Sequence, residues 1–136
     1  MKKQIIYLIA TLLIVTSSFT LAFADQHTDP EYRALPDEIS FTRTSSSSGV
    51  ITVTHYAADV ATTLKATFSL QESALNSNSW SNSSAPDQQS IKRNSAYINA
   101  AKTFTITSQK KYRVKITFED VIDSVKVTSI KYSNAI

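Results

Sequence analysis

An alternation of apolar and polar side chains, with a period of two residues, is the feature that most constrains the fold of this chain. It is clearest in residues 63–71, where leucine, alanine and phenylalanine alternate with lysine, threonine and serine, and it returns in residues 111–118. Successive side chains of a β-strand point to opposite faces of a sheet, so this period indicates half-buried antiparallel strands. These two segments therefore predict a sheet that packs one face on a core.

Four further runs are rich in the β-branched and aromatic residues that strands favour. They cover residues 38–44, 50–57, 103–107 and 121–132. Residues 90–101 fit either a short helix or another strand, because their period does not decide between the two. Six or seven short strands without a convincing amphipathic helix predict an all-β fold, an antiparallel β-sandwich, with a small β-barrel as the alternative.

Turns must be built with little glycine, because Gly49 is the single glycine of the chain. We expect Asn, Asp and Ser to make most turns and place Gly49 in a loop after the first strand. Residues 73–90 are rich in Ser and Asn and predict a long loop. The last hairpin is expected to reverse at Glu119 and Asp120.

The first 24 residues have the layout of an export signal. Two lysines precede an apolar run of 11 residues, and Ala22 and Ala24 follow at the spacing of a signal peptidase site. The run is shorter than the roughly 20 residues that span a bilayer, so no stable membrane span is expected after cleavage. The predicted organisation is a signal peptide over 1–24, a flexible acidic lead-in over 25–37 and a β-sandwich domain over 38–136.

The leader and the composition together predict where the protein resides. We expect a secreted, extracellular protein of a Gram-positive bacterium, either released or associated with the cell wall. The chain contains no cysteine. Disulfides, a thiol nucleophile and thiolate metal sites are therefore excluded.

Several short elements resemble a group of small secreted Gram-positive bacterial proteins of unknown function. They are a strand ending in Leu70-Gln71, the lone Trp80 in a polar loop, and Tyr112-Arg113-Val114 in a strand near the end of the chain. The resemblance covers residues 41–136, and this chain departs from it by lacking most turn glycines. It implies an exported β-sandwich without an assigned activity.

Candidate catalytic groups are few. His55 stands alone on a strand, where a histidine is more often structural or solvent-facing than an acid–base group or a metal ligand. No serine occupies a Gly-x-Ser-x-Gly or Ser-x-x-Lys motif. The acidic cluster Glu119, Asp120 and Asp123 supports an alternative hypothesis, a secreted hydrolase that uses paired carboxylates. We predict no catalytic residue, no metal site, no cofactor and no enzymatic activity.

Basic residues concentrate in the second part of the chain. Without the leader the chain has 12 basic and 11 acidic residues, yet residues 25–90 carry a net charge of −5 and residues 91–136 one of +6. Lys111, Arg113 and Lys115 alternate, so one strand face projects three cations at intervals of about 6.6–7 Å. We expect Lys126 or Lys131 alongside them and the aromatic residues on the opposite face.

The lone Trp80 has two interpretations. It either stacks on sugar rings beside the asparagines of its loop or caps one end of the sandwich with its amphipathic ring. The functional hypothesis is a secreted, non-enzymatic envelope or extracellular binding module with Lys111, Arg113, Lys115 and Trp80 as its binding residues. Its expected partner is an anionic cell-wall polymer or another extracellular ligand. The alternative is an ordinary solvated face whose lysines discourage edge aggregation, since no stacking platform accompanies the cations. Nucleic acid is not an expected partner.

Overall fold

The computed structural model describes residues 35–136, which form six β-strands and no helix. The strands are β1 (Glu38–Ser45), β2 (Ser48–Ala74), β3 (Ser81–Asn82), β4 (Gln88–Thr105), β5 (Lys110–Ile122) and β6 (Val125–Tyr132). All pairings are antiparallel, and in this part of the chain the strands form one sheet that is not closed into a barrel. The prediction of an all-β, antiparallel fold is confirmed, whereas the barrel alternative is wrong. The predicted signal peptide, His27 and most of the lead-in lie outside the described residues.

The strand β2 is the central strand of the sheet, because every strand except β6 pairs with it. It joins the two runs predicted at 50–57 and 63–71 into one strand of 27 residues. Its pairing with β4 shifts register between Tyr56 and Ala61. Buried hydrophobic side chains of β2 have odd numbers as far as Ala61, as at Ile51 and Val53, and even numbers from Leu64 onwards, as at Phe68. This change of parity beside the bulge keeps the apolar side of the strand towards the core.

The bulge divides the sheet into two halves. In the first half, β1 pairs with β2 from Ser48 to Thr54, and in the second half β5 pairs with β2 from Thr63 to Ala74. The strand β4 pairs with β2 in both halves, so β1 and β5 follow one another along the other edge of β2. The strand β6 then pairs with β5. We use "first half" and "second half" for these two parts.

Both halves contribute to one hydrophobic core. Phe41 and Ile51 of the first half belong to the same buried cluster as Phe68, Val114 and Phe118 of the second. The Asn134 side chain, which follows β6, forms two hydrogen bonds to β1. Its amide oxygen accepts from the Phe41 N–H at 2.9 Å, and its amide nitrogen donates to the Phe41 carbonyl at 2.8 Å. Burial of this shared apolar surface holds the two halves together.

Three local predictions are resolved by the strands. Residues 90–101 belong to β4, so the helical alternative is wrong. Gly49 lies inside β2, not in a loop. The last hairpin reverses at Asp123 and Ser124, whose φ angles are 49° and 66°, and not at Glu119 and Asp120. Short polar residues tolerate this left-handed backbone better than most, which explains a tight turn without glycine. Within residues 35–136 the structure has no helix of the length and apolarity that crossing a membrane requires.

Candidate functional site

The cationic face of β5 consists of Lys111, Arg113 and Lys115. The structure places all three on the outer side of the sheet, because the alternate residues Tyr112 and Val114 are buried in the core. Their neighbours across β2 are Ser73, Gln71 and Ser69, so the face lies in the second half.

Residues 75–80 fold over one end of the cationic face. The Ser73 hydroxyl donates hydrogen bonds to the carbonyls of Ala74 and Ser77, at 3.3 and 3.0 Å, and this serine is only 5% exposed. The Lys111 ammonium donates to the Asn78 side chain at 3.1 Å. The two-residue strand β3 then pairs with Gln71 and Glu72 of β2. These bonds fix the position of Trp80, which lies directly before β3.

The Arg113 guanidinium stacks with two aromatic rings. Its central carbon lies 4.5 Å from the centre of the Trp80 ring and 4.4 Å from that of the Tyr132 ring. The Lys111 ammonium is 5.9 Å from the Trp80 ring centre, near the outer limit for an attraction between a cation and a ring. The two rings restrict the rotamers of Arg113 and shield it from water, while its positive charge is retained.

The side chain of Gln71 also contacts Arg113, through a hydrogen bond. Its carbonyl oxygen accepts a hydrogen bond from the Arg113 Nε at 2.9 Å, and its amide nitrogen donates to the Asn82 side chain at 3.1 Å. Arg113 thus has its Nε bonded within the protein. Its two Nη atoms make no hydrogen bond within residues 35–136, so they remain for a ligand.

The acidic side chain on the same side as the cationic face is paired with other lysines. Glu119 contacts Lys126 and Lys65, the latter at 3.0 Å, and these ammonium groups hold the pKa of its carboxyl below the ordinary value. Glu72 alternates to the other side of the sheet, where it binds Lys110 at 2.7 Å and raises the pKa of that amine. Lys111, Arg113 and Lys115 form no salt bridge within the described part of the chain. Their charge is therefore not neutralised locally.

The structure bears on three expectations about this face, of which the last, a lysine alongside the cations, is confirmed for Lys126. Trp80 and Tyr132 lie on the same side as the cations, so the prediction that aromatics occupy only the opposite side is wrong. Trp80 packs on the sheet face instead of capping an end of the fold. Of the two lysines expected alongside, Lys126 lies on this side and binds Glu119, whereas Lys131 alternates to the other side, opposite Ile116.

Sequence reasoning missed Gln71 and Tyr132 as parts of the cluster. Gln71 carries a weak signal, because it continues the outward-facing positions of the alternating run that ends at Leu70. Tyr132 carries none until the hairpin turn is located, since only the register of β6 sets it opposite Lys115.

The acidic residues considered for catalysis do not share a site. Glu119 lies on the outer side with its lysines, Asp123 is in the hairpin turn, and Asp120 points to the core side. The separation follows from strand alternation, because neighbouring residues of β5 face opposite sides. No group of three or more His, Cys, Asp or Glu side chains suited to a metal ion occurs within residues 35–136.

A buried polar cluster surrounds His55. Its Nδ1 lies 2.7 Å from a carboxylate oxygen of Asp37, its Nε2 lies 3.0 Å from one of Asp120, and its ring stacks on Phe118 at 4.0 Å. Both ring nitrogens therefore lie within hydrogen-bond distance of a carboxylate. His55 is 6% exposed and links the first half to β5. We interpret this cluster as structural.

Comparison with known proteins identifies no relative: no protein-family model, no curated protein and no solved structure matches this chain at a significant level.

Proposed function

We propose that this protein is a secreted bacterial, non-enzymatic binding module whose bent sheet packs on itself as a β-sandwich. Its cationic face binds an anionic cell-wall polymer. The observation that carries the proposal is the stack of Trp80, Arg113 and Tyr132, flanked by Lys111 and Lys115 without an acidic partner within residues 35–136. The predicted leader supports an extracellular location.

The restricted guanidinium of Arg113 explains how the cationic face can bind an anionic polymer. An arginine on an open surface loses side-chain entropy when it binds, whereas Arg113 is already restricted by two rings and by Gln71. Its two free Nη atoms present parallel donors that suit the oxygens of a phosphate or carboxylate. Binding therefore requires little rearrangement at this residue.

The spacing of the cations favours a linear polymer. Alternate residues of a strand repeat at about 6.6–7 Å, so Lys111, Arg113 and Lys115 form a straight row. A polymer with regularly repeated negative groups can contact several of them at once. Because these contacts are exposed and electrostatic, their strength depends on salt.

A secreted hydrolase, the second hypothesis, has less support. The carboxylates of Glu119, Asp120 and Asp123 lie in three different surroundings, although paired-carboxylate chemistry requires two acids across one cleft. Full activity of an Asp120→Asn variant on any substrate found would dispose of this hypothesis.

The test measures co-sedimentation with purified Gram-positive cell walls that keep their anionic polymers. We use protein exported with its own leader and compare low salt with about 1 M NaCl, where the Debye length is about 3 Å. The variant Lys111→Glu/Arg113→Glu/Lys115→Glu is expected to bind roughly tenfold or more weakly at low salt, because each exposed charge contact adds up to about 1 kcal/mol.

A matched control separates the site from net charge. Lys102, Lys110 and Lys131 lie at positions opposite Ile51, Ala74 and Ile116, which alternate to the other side of the sheet. Changing all three to Glu alters the net charge by the same amount. The control is expected to retain most binding. An equal loss in both variants, or no loss in the first, would contradict the proposal.

The fluorescence of Trp80, the single tryptophan of the chain, gives a second measurement of polymer binding. Trp80 contacts Arg113, so binding of an anion at the Nη atoms should change Trp80 fluorescence. The conservative variant Arg113→Lys keeps the charge but removes the planar group, so the fluorescence response should shrink while salt-dependent sedimentation partly remains. An unchanged response in Arg113→Lys would show that the stack has no part in binding.

A further inference from the structure

The outer side of the first half carries a second surface with a different chemistry. A depression of about 620 Å³ lies there, within the range of about 300–1,000 Å³ that is usual for ligand sites. It crosses β1, β2 and β4. It is lined by a patch of nine residues in three rows: Glu38, Thr54 and Asn99, then Ile39, Val53 and Ala100, then Ser40, Thr52 and Ala101. The outer two rows alternate to the outward side, and the middle row contributes apolar residues.

Strand register arranges the outward-facing residues in two rows. One row places Thr54 between Glu38 and Asn99, and the other places Thr52 between Ser40 and Ala101. Neighbours within a row are about 4.7–4.9 Å apart, and the rows are about 6.6–7 Å apart.

The polar side chains of this surface face solvent and make few hydrogen bonds within the protein. Within residues 35–136, the one side-chain hydrogen bond among the lining residues runs from the Thr52 hydroxyl to the Ser40 carbonyl, at 3.4 Å. The carboxylate of Glu38, the hydroxyls of Ser40 and Thr54 and the amide of Asn99 have no partner there. Short side chains on paired strands lose little entropy on binding, so they form a fixed set of donors and acceptors.

Two tyrosines extend the same surface. Tyr56 and Tyr97 are opposite each other in the row after Thr54, with ring centres 6.3 Å apart. Tyr97 is 44% exposed, and the Lys92 ammonium lies 3.7 Å above its ring. The surface thus adds exposed aromatic area to its hydroxyl and amide groups.

We propose that this surface, the hydroxyl depression, binds an uncharged glycan chain. Sugars present many hydroxyls that both donate and accept, which matches the mixture of hydroxyl, amide and carboxylate groups, and their C–H faces suit tyrosine rings. The only charged residue in the lining is Glu38. An anionic polymer therefore finds no cation in the depression, and this site is independent of the cationic face.

The experiment uses insoluble peptidoglycan sacculi from which covalently attached anionic polymers have been removed with hydrofluoric acid. Sedimentation is measured in about 1 M NaCl, where contacts between exposed charges are screened. The wild-type protein is expected to sediment with the sacculi. The variant Thr52→Ala/Thr54→Ala is expected to bind roughly fivefold or more weakly, through the loss of two hydroxyls.

The strand itself supplies the matched control. Thr63→Ala/Thr67→Ala changes two outward threonines of β2 in the second half, so it removes the same atoms as the test variant. This control and the Lys111→Glu/Arg113→Glu/Lys115→Glu variant should both sediment like the wild type. Circular dichroism melting confirms that each variant is folded.

Three outcomes would overturn the inference. They are no sedimentation of the wild type at high salt, an equal loss in both threonine variants, and loss of high-salt binding in the charge variant. The first two leave the proposed electrostatic function untouched. Conversely, retained high-salt binding together with no salt-dependent binding to complete walls would contradict the electrostatic function alone.

Discussion

The two halves of β2 have similar inner sides and very different outer sides. Before the bulge the outward residues Thr52 and Thr54 belong to a surface whose lining has one charged residue, Glu38, whereas after it the outward side carries Lys65 and the cationic face of β5. Most inward residues of β2 are apolar in both halves, His55 being an exception. One strand, β2, therefore contributes to one hydrophobic core and to two different outer surfaces. This is possible because alternate residues point to opposite sides, so the residues that pack in the core are separate from those that face solvent.

The largest expected effect comes from removing a side chain of the shared core. Phe68 is fully buried in the second half, so Phe68→Ala should lower the free energy of unfolding by about 3–5 kcal/mol. If the core is common to both halves, they should unfold together. The measurement is chemical denaturation followed by Trp80 fluorescence and by circular dichroism, with the outward Thr67→Ala as control. Two separate transitions would show that the halves are independent.

A smaller loss is expected when the polar link between the halves is cut. Asp120→Asn removes a carboxylate from the buried His55 ring, and we expect a loss of about 2–3 kcal/mol. Asp123→Asn changes the same group three residues later, in an exposed turn, and should stay within about 0.5 kcal/mol. Denaturant titration of both variants measures the difference. Equal stabilities would mean that the His55 cluster does not link the halves.

Gly49 tests the packing of the first half alone. A Cβ at this position would lie 2.8 and 2.9 Å from two atoms of the Phe41 ring and 3.2 Å from Ile106. Gly49→Ala should therefore cost about 1–3 kcal/mol through overpacking. The neighbouring Ser48→Ala, on the outward side, serves as control. A neutral or stabilising Gly49→Ala would show that the Phe41 ring moves away freely.

The smallest effect concerns charge on the outer side of the second half. Lys126 is the main cause of the lowered pKa of Glu119, so Lys126→Gln should raise that pKa towards its ordinary value. A lowered carboxyl pKa stabilises the fold above the pKa of the unfolded chain. This contribution disappears as the pH falls through the folded-state pKa. NMR titration of the Glu119 carboxyl measures the shift, with Lys131→Gln as control, and an unchanged pKa would contradict the assignment.

Local sequence patterns predicted some strands closely, although the run at 121–132 spans the end of β5, the turn and β6, and β2 and β4 are longer than the short strands expected. The run at 111–118 lies within β5, and the run at 38–44 matches β1 with one residue added. These predictions rely on alternation, which is visible wherever one face is buried. The segment 90–101 gave no clear answer because β4 buries few of its side chains, so alternation is weak there.

The candidate site was predicted only in part. The common face of Lys111, Arg113 and Lys115 follows from alternation within one strand. The position of Trp80 above that face does not, because it depends on hydrogen bonds between residues 75–82 and two different strands. Likewise, Tyr132 reaches Arg113 through the register of a hairpin whose turn lies later than the acidic pair suggested.

The sequence by itself determined the all-β class and which residues face the core in the segments that alternate clearly, residues 63–71 and 111–118, since both depend on a period of two residues. Tertiary structure alone decided that two predicted runs are one strand, that Arg113 is held between two rings, and that the hydroxyl depression forms across three strands. The physical reason is the distance along the chain between the residues that interact. Alternation is a property of neighbouring residues, whereas register and the packing of loops depend on contacts between residues distant in the chain.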